Sequence, residues 1–167
     1  MTVTWKQFAE LSPDLAAAGG AMIKPGDVGL GFLATVRPDG GPRVNPICPV
    51  VTDDGLYGFL VRGPKLADLR RDPRYALHSE TVPPPNHDDA FSLKGDVRFV
   101  DDTSEEGVAL RTTLVRQMLD ERSLTEMWEG FDDNVLVELL IDRCLLTLTV
   151  ERPDLPKGHT VWMAPAG

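Results

Sequence analysis

The chain has 167 residues, of which 42% are apolar and 26% charged, so its composition is that of a globular protein and excludes collagen-like and fully disordered classes. This length predicts one domain, residues 1–167, whose core needs no disulfide or metal staples. With 17 basic and 26 acidic side chains the formal charge is −9, which disfavours nucleic-acid and membrane partners. The start of the chain does not resemble a signal peptide, so we expect a cytoplasmic protein.

Two short helices are predicted in an N-terminal segment, residues 1–26. Thr4 is positioned to cap the first helix, and Leu11 is expected on its inward side. Ser12 precedes Pro13, an order that predicts a hydroxyl cap followed by proline at the first position of a second helix.

Strands are predicted from Gly29 onward. Apolar residues alternate up to a turn at residues 38–41, and the chain returns as a strand over residues 43–51. A second turn at residues 53–55 leads to a third strand at residues 56–61. Connections this short cannot cross over between parallel strands, so they predict an antiparallel meander.

The rest of the chain predicts more strands and two helical regions. One is a short helix at residues 65–71 with Leu66 and Leu69 facing inward; the other is a helical insertion at residues 103–129. Gly95 is the expected site of a β-bulge. The order of elements predicts an α+β protein, mainly β, built on a small closed or half-closed barrel. The further strands are expected at residues 74–79, 90–100, 135–141, 143–151 and 160–163.

Positive charge is concentrated at the start of the short helix. Arg62 and Lys65 flank this start, where unpaired backbone N–H groups and the helix dipole favour an anion. Arg43 on a neighbouring strand needs an anionic partner or an exposed edge. Arg70 and Arg71 have the spacing of a solvated helix face. The pattern favours a phosphate site, with an ordinary solvated basic surface as the alternative.

Two stretches, FLATVRPDGGPRVNP and DDGLYGFLVRGPKLADLRRDPRYALHS, carry a longer pattern. The pattern begins with a strand, an Asp-Gly turn and the sequence Pro-Arg-Val. A second Asp-Gly turn, an aromatic strand and a lysine follow, and the helix then ends with a leucine and the sequence Asp-Pro-Arg. In this pattern residues 32–79 resemble the pyridoxamine 5'-phosphate oxidase-like family. The resemblance implies an antiparallel split β-barrel with flanking helices, an FMN cofactor, and a homodimer that holds the cofactor at its interface and acts on a small molecule.

The resemblance also implies a cofactor site made of two strands and a helix start. Arg43 and Lys65 are the strongest candidates for the phosphate, and His78, at the end of the next strand, is a tentative proton donor. The alternative for His78 is a half-buried residue with an ordinary hydrogen bond. The implied cofactor-binding residues are Arg43, Val44, Asn45, Pro46, Phe59, Leu60, Val61, Arg62 and Lys65.

Several functions remain open at this stage. The C-terminal segment from Leu155 lacks the arginine pair that holds the substrate phosphate in the true oxidases, so the resemblance does not extend to vitamin B6 oxidation. The leading hypothesis is an FMN-binding oxidoreductase of unknown substrate. The alternatives are a reductase that uses the deazaflavin F-420 and a non-catalytic flavin- or heme-binding protein.

Other chemistry-bearing residues do not form a recognisable constellation. His78, His87 and His159 have no metal-ligand spacing, so no metal site is predicted. Cys48 and Cys144 each lie in an apolar run and are expected to be small core residues.

Overall fold

Nine antiparallel strands form one hydrogen-bonded network in the computed structural model, which describes residues 1–26, 28–81, 89–152 and 154–166. The strands are β1 (Gly31–Val36), β2 (Pro42–Ile47), β3 (Val50–Val51), β4 (Leu56–Leu60), β5 (Arg74–Ser79), β6 (Ala90–Phe99), β7 (Val135–Leu139), β8 (Arg143–Leu148) and β9 (Gly158–Met163). The helices are α1 (Trp5–Leu11), α2 (Pro13–Ile23), α3 (Pro64–Arg71) and α4 (Glu105–Arg122), with a short 3-10 turn at Phe131–Asp133.

The long strand β6 divides the sheet into two branches. Its first half pairs with β8, and its last residues, Val97–Phe99, pair with β7. One branch runs β2-β1-β5-β6 and continues through β8 to β9; the other runs β6-β7-β4-β3. The sheet therefore curls into a half-barrel, which confirms the predicted mainly β, antiparallel α+β class.

The predicted meander is only partly correct. The β1–β2 and β3–β4 hairpins are present, but β4 pairs with β7 and not with β2. The strand predicted at residues 43–51 is interrupted at Cys48 and Pro49, where the chain passes from one branch to the other. Proline supplies no ladder donor. Pro42 and Pro46 are accommodated because β2 ends the row of strands.

The N-terminal helices begin where expected, but their details differ. Thr4 caps α1 through a capping box with Gln7. Leu11 is 53% exposed, contrary to expectation, because α1 ends there and its buried side comprises Trp5 and Phe8. Ser12 makes no side-chain cap, since its backbone (φ −151°, ψ 69°) departs from the extended geometry of a capping residue.

The inserted helix is shorter than predicted. Ser104 caps α4 by accepting a hydrogen bond from the N–H of Gly107 at 3.0 Å. The helix ends at Arg122 because Ser123 adopts a left-handed conformation (φ 53°), so residues up to 128 are not helical. Gly130, which follows the predicted insertion, directly precedes the 3-10 turn.

Two apolar clusters hold these elements together. The larger one fills the half-barrel beneath α1, α2 and α3 and includes Leu66, Leu69 and Cys144, all buried as predicted. The smaller one joins α4 to β4 and β7 through residues such as Leu114 and Leu136.

In the described ranges, no helix is both long and apolar enough to cross a bilayer. The proline-rich segment at residues 81–89 falls largely on residues 82–88, which lie outside the described residues and include His87.

Gly95 lies at the branch point of β6. It pairs in regular register with Tyr75, so the predicted bulge is not present at this position. A glycine is needed for another reason, because a Cβ here would lie 2.0 Å from the carbonyl oxygen of Leu140. The backbone of the segment after β7 therefore packs directly against β6.

We expect Gly95→Ala to lower the free energy of unfolding by roughly 1–3 kcal/mol, because the methyl group can be placed only by moving backbone. Thermal or urea unfolding measures the effect. Gly26→Ala is the matched control, since a Cβ there meets nothing within 4 Å. Equal stability of the two variants would contradict the close approach.

Candidate functional site

A cleft of about 250 Å³ opens between the half-barrel and the end of α4; we call it the α4 cleft. One wall comes from the ends of β2 and β4 and the start of α3. The other comes from the end of α4 and the segment around the 3-10 turn. The first wall contains Pro46, Ile47, Cys48, Phe59, Val61 and Lys65, and the second contains Met118, Arg122, Trp128, Phe131 and Asn134.

Lys65 is the predicted phosphate ligand that the structure places in the cleft. It lies in the first turn of α3, whose capping residue Gly63 makes no side-chain cap. The ammonium group has no salt-bridge partner among the described residues, and burial lowers the pKa of Lys65. A partly buried cation beside free backbone N–H groups is a favourable environment for an anion.

Arg43, the other expected phosphate ligand, is held by an internal anion. Its Nε donates to Oδ2 of Asp68 at 2.7 Å, and Oγ1 of Thr35 donates to the same oxygen at 3.0 Å. Asp68 is only 3% exposed, and the hydrogen bond from Arg43 holds the pKa of this carboxyl below its usual range. The anionic partner that the sequence required for Arg43 is therefore Asp68 of α3.

The remaining predicted cofactor residues separate into two groups. Pro46, Phe59 and Val61 line the cleft with Lys65. Four others do not. Leu60 is fully buried, since the alternation of β4 turns it into the core, and Val44 and Asn45 lie on β2 outside the cleft. Arg62 is exposed in a separate basic groove over α3, shared with Gly63, Leu66, Ala67, Arg70 and Arg71.

His78 lies away from the cleft, on the outer surface of the sheet. The alternation of β5 turns Tyr75, Leu77 and Ser79 inward, so His78 is exposed and not half-buried as expected. Its Nδ1 lies 2.7 Å from the carbonyl oxygen of Ser79. This is an ordinary hydrogen bond, and it matches the simpler of the two interpretations of this residue.

The second wall was not found from the sequence. Cys48, expected in the core, is exposed in the break between β2 and β3 and lines the cleft. The rings of Trp128 and Phe131 pack edge to face with their centres 4.9 Å apart. The ring centre of Phe131 lies 4.8 Å from that of Phe59 on the first wall. Only the Cys-Pro dipeptide, which breaks the strand, was a local signal.

Arg111 holds this wall in place. Its guanidinium donates to the carbonyl oxygens of Asp132 and Asn134, each at 3.0 Å, and lies 5.3 Å from the ring centre of Phe59. Hydrogen bonds from a charged donor are stronger than neutral ones, so Arg111 links α4, the 3-10 turn and β4 into one unit. Among the residues described, no group of three His, Cys, Asp or Glu is placed to hold a metal ion.

The pyridoxamine 5'-phosphate oxidase family model matches residues 26–150, which span the half-barrel and α4. The chain therefore belongs to this family, and its curled sheet is the family's split barrel. No protein with a curated description matches the chain.

Solved structures support the same fold. A FAD-binding protein from Mesorhizobium loti aligns with a TM-score of 0.60 and 20% identity, over 77% of this chain and 91% of that one. A heme binding protein from Mycobacterium smegmatis aligns with a TM-score of 0.63 and 15% identity, over 88% of this chain and 57% of that one. An F420 reductase aligns with a TM-score of 0.54 and 23% identity, over 74% of this chain and 93% of that one.

The Asp68 ion pair generates a pH-dependent prediction. Because the folded pKa of Asp68 is lowered, its contribution to stability is present above the unfolded value of about 3.9 and is lost as the pH falls through the folded value. We therefore expect Asp68→Asn to melt at a lower temperature than wild type at pH 7, with the gap narrowing toward pH 3.

The exposed Asp53, which has no ion pair among the described residues, provides the control Asp53→Asn. Thermal melting at several pH values measures both variants. A gap for Asp68→Asn that stays constant with pH would contradict the role of the ionised carboxylate.

Proposed function

We propose that this protein is a cytoplasmic FMN-binding oxidoreductase of the pyridoxamine 5'-phosphate oxidase-related type, acting on a small molecule. The observation that carries the proposal is the position of Lys65. The partly buried ammonium group, which has no salt-bridge partner in the part of the chain that the structure describes, stands at the uncapped start of α3 and opens into a cleft lined mainly by apolar and aromatic side chains. A phosphate-bearing ring compound satisfies both features.

The residues of the cleft suit the two ends of a flavin nucleotide. Lys65 and the first N–H groups of α3 would hold the phosphate, and Arg62 adds charge from the adjacent basic groove. Pro46, Phe59 and Val61 would lie against the ring and exclude water from it. The bound flavin supplies hydride or electron transfer, while the chain binds and orients it.

A deazaflavin is the second candidate. The structural similarity to an F420 reductase supports it, and F-420 also carries a phosphate that Lys65 would bind. The structural similarity to the heme binding protein supports the heme alternative. However, among the described residues no histidine lines the cleft. An absorption spectrum of the purified protein separates flavin, deazaflavin and heme. Vitamin B6 oxidation is not proposed, because residues 154–166 contain no arginine.

We expect Lys65→Ala to weaken FMN binding by roughly ten- to a hundred-fold, since it removes a charge-assisted contact of about 1.5–3 kcal/mol. Alanine keeps the helix propensity of α3, so the melting temperature should hardly change. A flavin fluorescence titration measures the affinity. Riboflavin, which lacks the phosphate, should bind equally to both proteins.

Arg116→Ala is the control for charge. Arg116 is exposed on α4 and lines neither the cleft nor the basic groove, so its removal should leave FMN binding unchanged. Absence of FMN binding to wild type would refute the flavin proposal and favour the deazaflavin. Equal loss in both variants would place the phosphate elsewhere.

We also propose that the protein is a homodimer with a cofactor site at its interface. Alternation of the first branch turns Leu33, Leu77 and Leu93 into the core, which leaves the opposite side of the sheet, the outer face, facing solvent. Large apolar side chains on this outer face are exposed: Phe32 by 44%, Val44 by 59%, Val161 by 47% and Met163 by 66%. Large exposed apolar side chains at both ends of this face favour a protein partner.

Light scattering at micromolar concentration is expected to give twice the mass of 18.3 kDa. An obligate dimer buries about 2,000 Å² or more, with an apolar centre, so a charge there is costly. Phe32→Glu should therefore yield monomers. Val108→Glu, at a 50% exposed position on α4, should remain dimeric. A monomeric wild type would contradict the proposal.

A further inference from the structure

We propose that the α4 side of the cleft binds a negatively charged oxygen on a compact planar ligand, with Arg122 and Asn134 as its hydrogen-bonding groups. The inference adds a ligand class to the same cleft. Only the redox role of that ligand rests on the proposed function. The binding of the ligand is argued from the residues of the α4 wall alone.

Arg122 is the first of these groups. It lies in the last turn of α4, where the helix dipole favours a cation, and its guanidinium stands 5.9 Å from the ring centre of Trp128. Neither contact supplies a hydrogen-bond acceptor. Its Nε is buried without a partner, and no salt bridge of the described residues includes it. The neighbouring Glu121 is taken by Lys24 at 2.6 Å.

Asn134 is the second group. The residue is only 6% exposed, yet its side-chain amide makes no hydrogen bond to the described part of the chain. The backbone is fully engaged, because its N–H bonds to Phe131 and its carbonyl accepts from Arg111. Because Asn134 lines the cleft, this amide is available to hydrogen-bond a ligand there.

The charge of the cleft selects the sign of the ligand. Among the described residues its lining contains Lys65 and Arg122 but no aspartate or glutamate, although the whole chain carries a formal charge of −9. Unpaired cations in a partly buried site lose hydration without recovering it from a partner. An anionic ligand oxygen restores that interaction by accepting hydrogen bonds from the Arg122 guanidinium and the Asn134 amide.

The shape of the cleft limits the ligand further. Phe59, Trp128 and Phe131 supply flat aromatic surfaces. The volume of about 250 Å³ lies below the roughly 300–1,000 Å³ of pockets that take drug-sized ligands. The enclosed volume takes one ring system of about two fused rings with an anionic substituent, or the polar end of a flavin whose remaining atoms extend out of the cleft. Its source is either a carboxylate-bearing substrate or the polar end of the flavin ring itself.

The test uses a matched pair of probes, 2-naphthoate and 2-naphthamide, which share a shape and differ in charge. Isothermal titration of wild type should show naphthoate binding roughly ten- to a hundred-fold more tightly than the amide. Arg122→Gln should abolish that preference. Arg116→Gln removes the same charge from an exposed position of α4 outside the cleft and should retain it.

A second variant protects the test against a folding defect. Asn134→Asp is nearly isosteric and leaves the backbone bonds of Asn134 intact, and a cooperative melting transition of this variant shows that it is folded. The new carboxylate repels an anion, and naphthoate affinity should fall by roughly tenfold or more while naphthamide affinity stays the same.

Repeating the titration with saturating FMN identifies the source of the anionic oxygen. If the preference for naphthoate persists, the wall recognises a substrate; if FMN displaces naphthoate, the wall recognises the flavin ring. Both results support the proposal. It is overturned if neither probe binds, if both bind equally, or if Arg122→Gln behaves like Arg116→Gln. If FMN binds but naphthoate is not preferred over naphthamide, this inference alone is refuted. If naphthoate is preferred but FMN does not bind, only the flavin proposal is refuted.

Discussion

The buried carboxylate of Asp68 is the contact on which the arrangement of the site depends. It joins α3 to β1 through Thr35 and to β2 through Arg43. A buried charge is tolerated only when it is paired, so these partners fix the helix against the sheet. The start of α3, with its free N–H groups and Lys65, is thereby placed beside the ends of β2 and β4. Arg71 adds a bond from the end of the same helix to the carbonyl of Val36.

The second wall of the cleft depends on α4 in a similar way. This helix packs over β4 and β7 through a small apolar cluster of its own, and Arg111 ties it to the segment after the 3-10 turn. The result is a cationic cleft in an acidic protein. Most of the carboxylates lie at turns and helix ends, where water solvates them, whereas Lys65 and Arg122 face a partly enclosed space that no carboxylate of the described residues lines. Such separation of charge makes the potential of the cleft more positive than that of the surrounding surface.

Local sequence patterns predicted the elements well where the signal was itself local. The capping of α1 by Thr4, the strand Arg74–Ser79 and the inward positions Leu66 and Leu69 all agree with the structure. Predictions that needed long-range pairing were less accurate. The meander was wrong at β4 because a tight turn specifies a hairpin but not which strand lies on the other side. Cys48 was misplaced because an apolar run predicts burial even where the strand is broken.

The sequence by itself determined the mainly β antiparallel class, the family resemblance and the place of Lys65 at a helix start, because alternation, turn residues and a helix start are read within a few positions. Tertiary structure decided the rest. The pairing of Arg43 with Asp68, 25 residues away, removed one expected ligand from the cleft, and β-strand alternation turned Leu60 into the core and His78 to the outer face. Arg122 and Asn134 reach the cleft only because α4 folds back over the sheet, and this long-range packing has no signature in the residues around them.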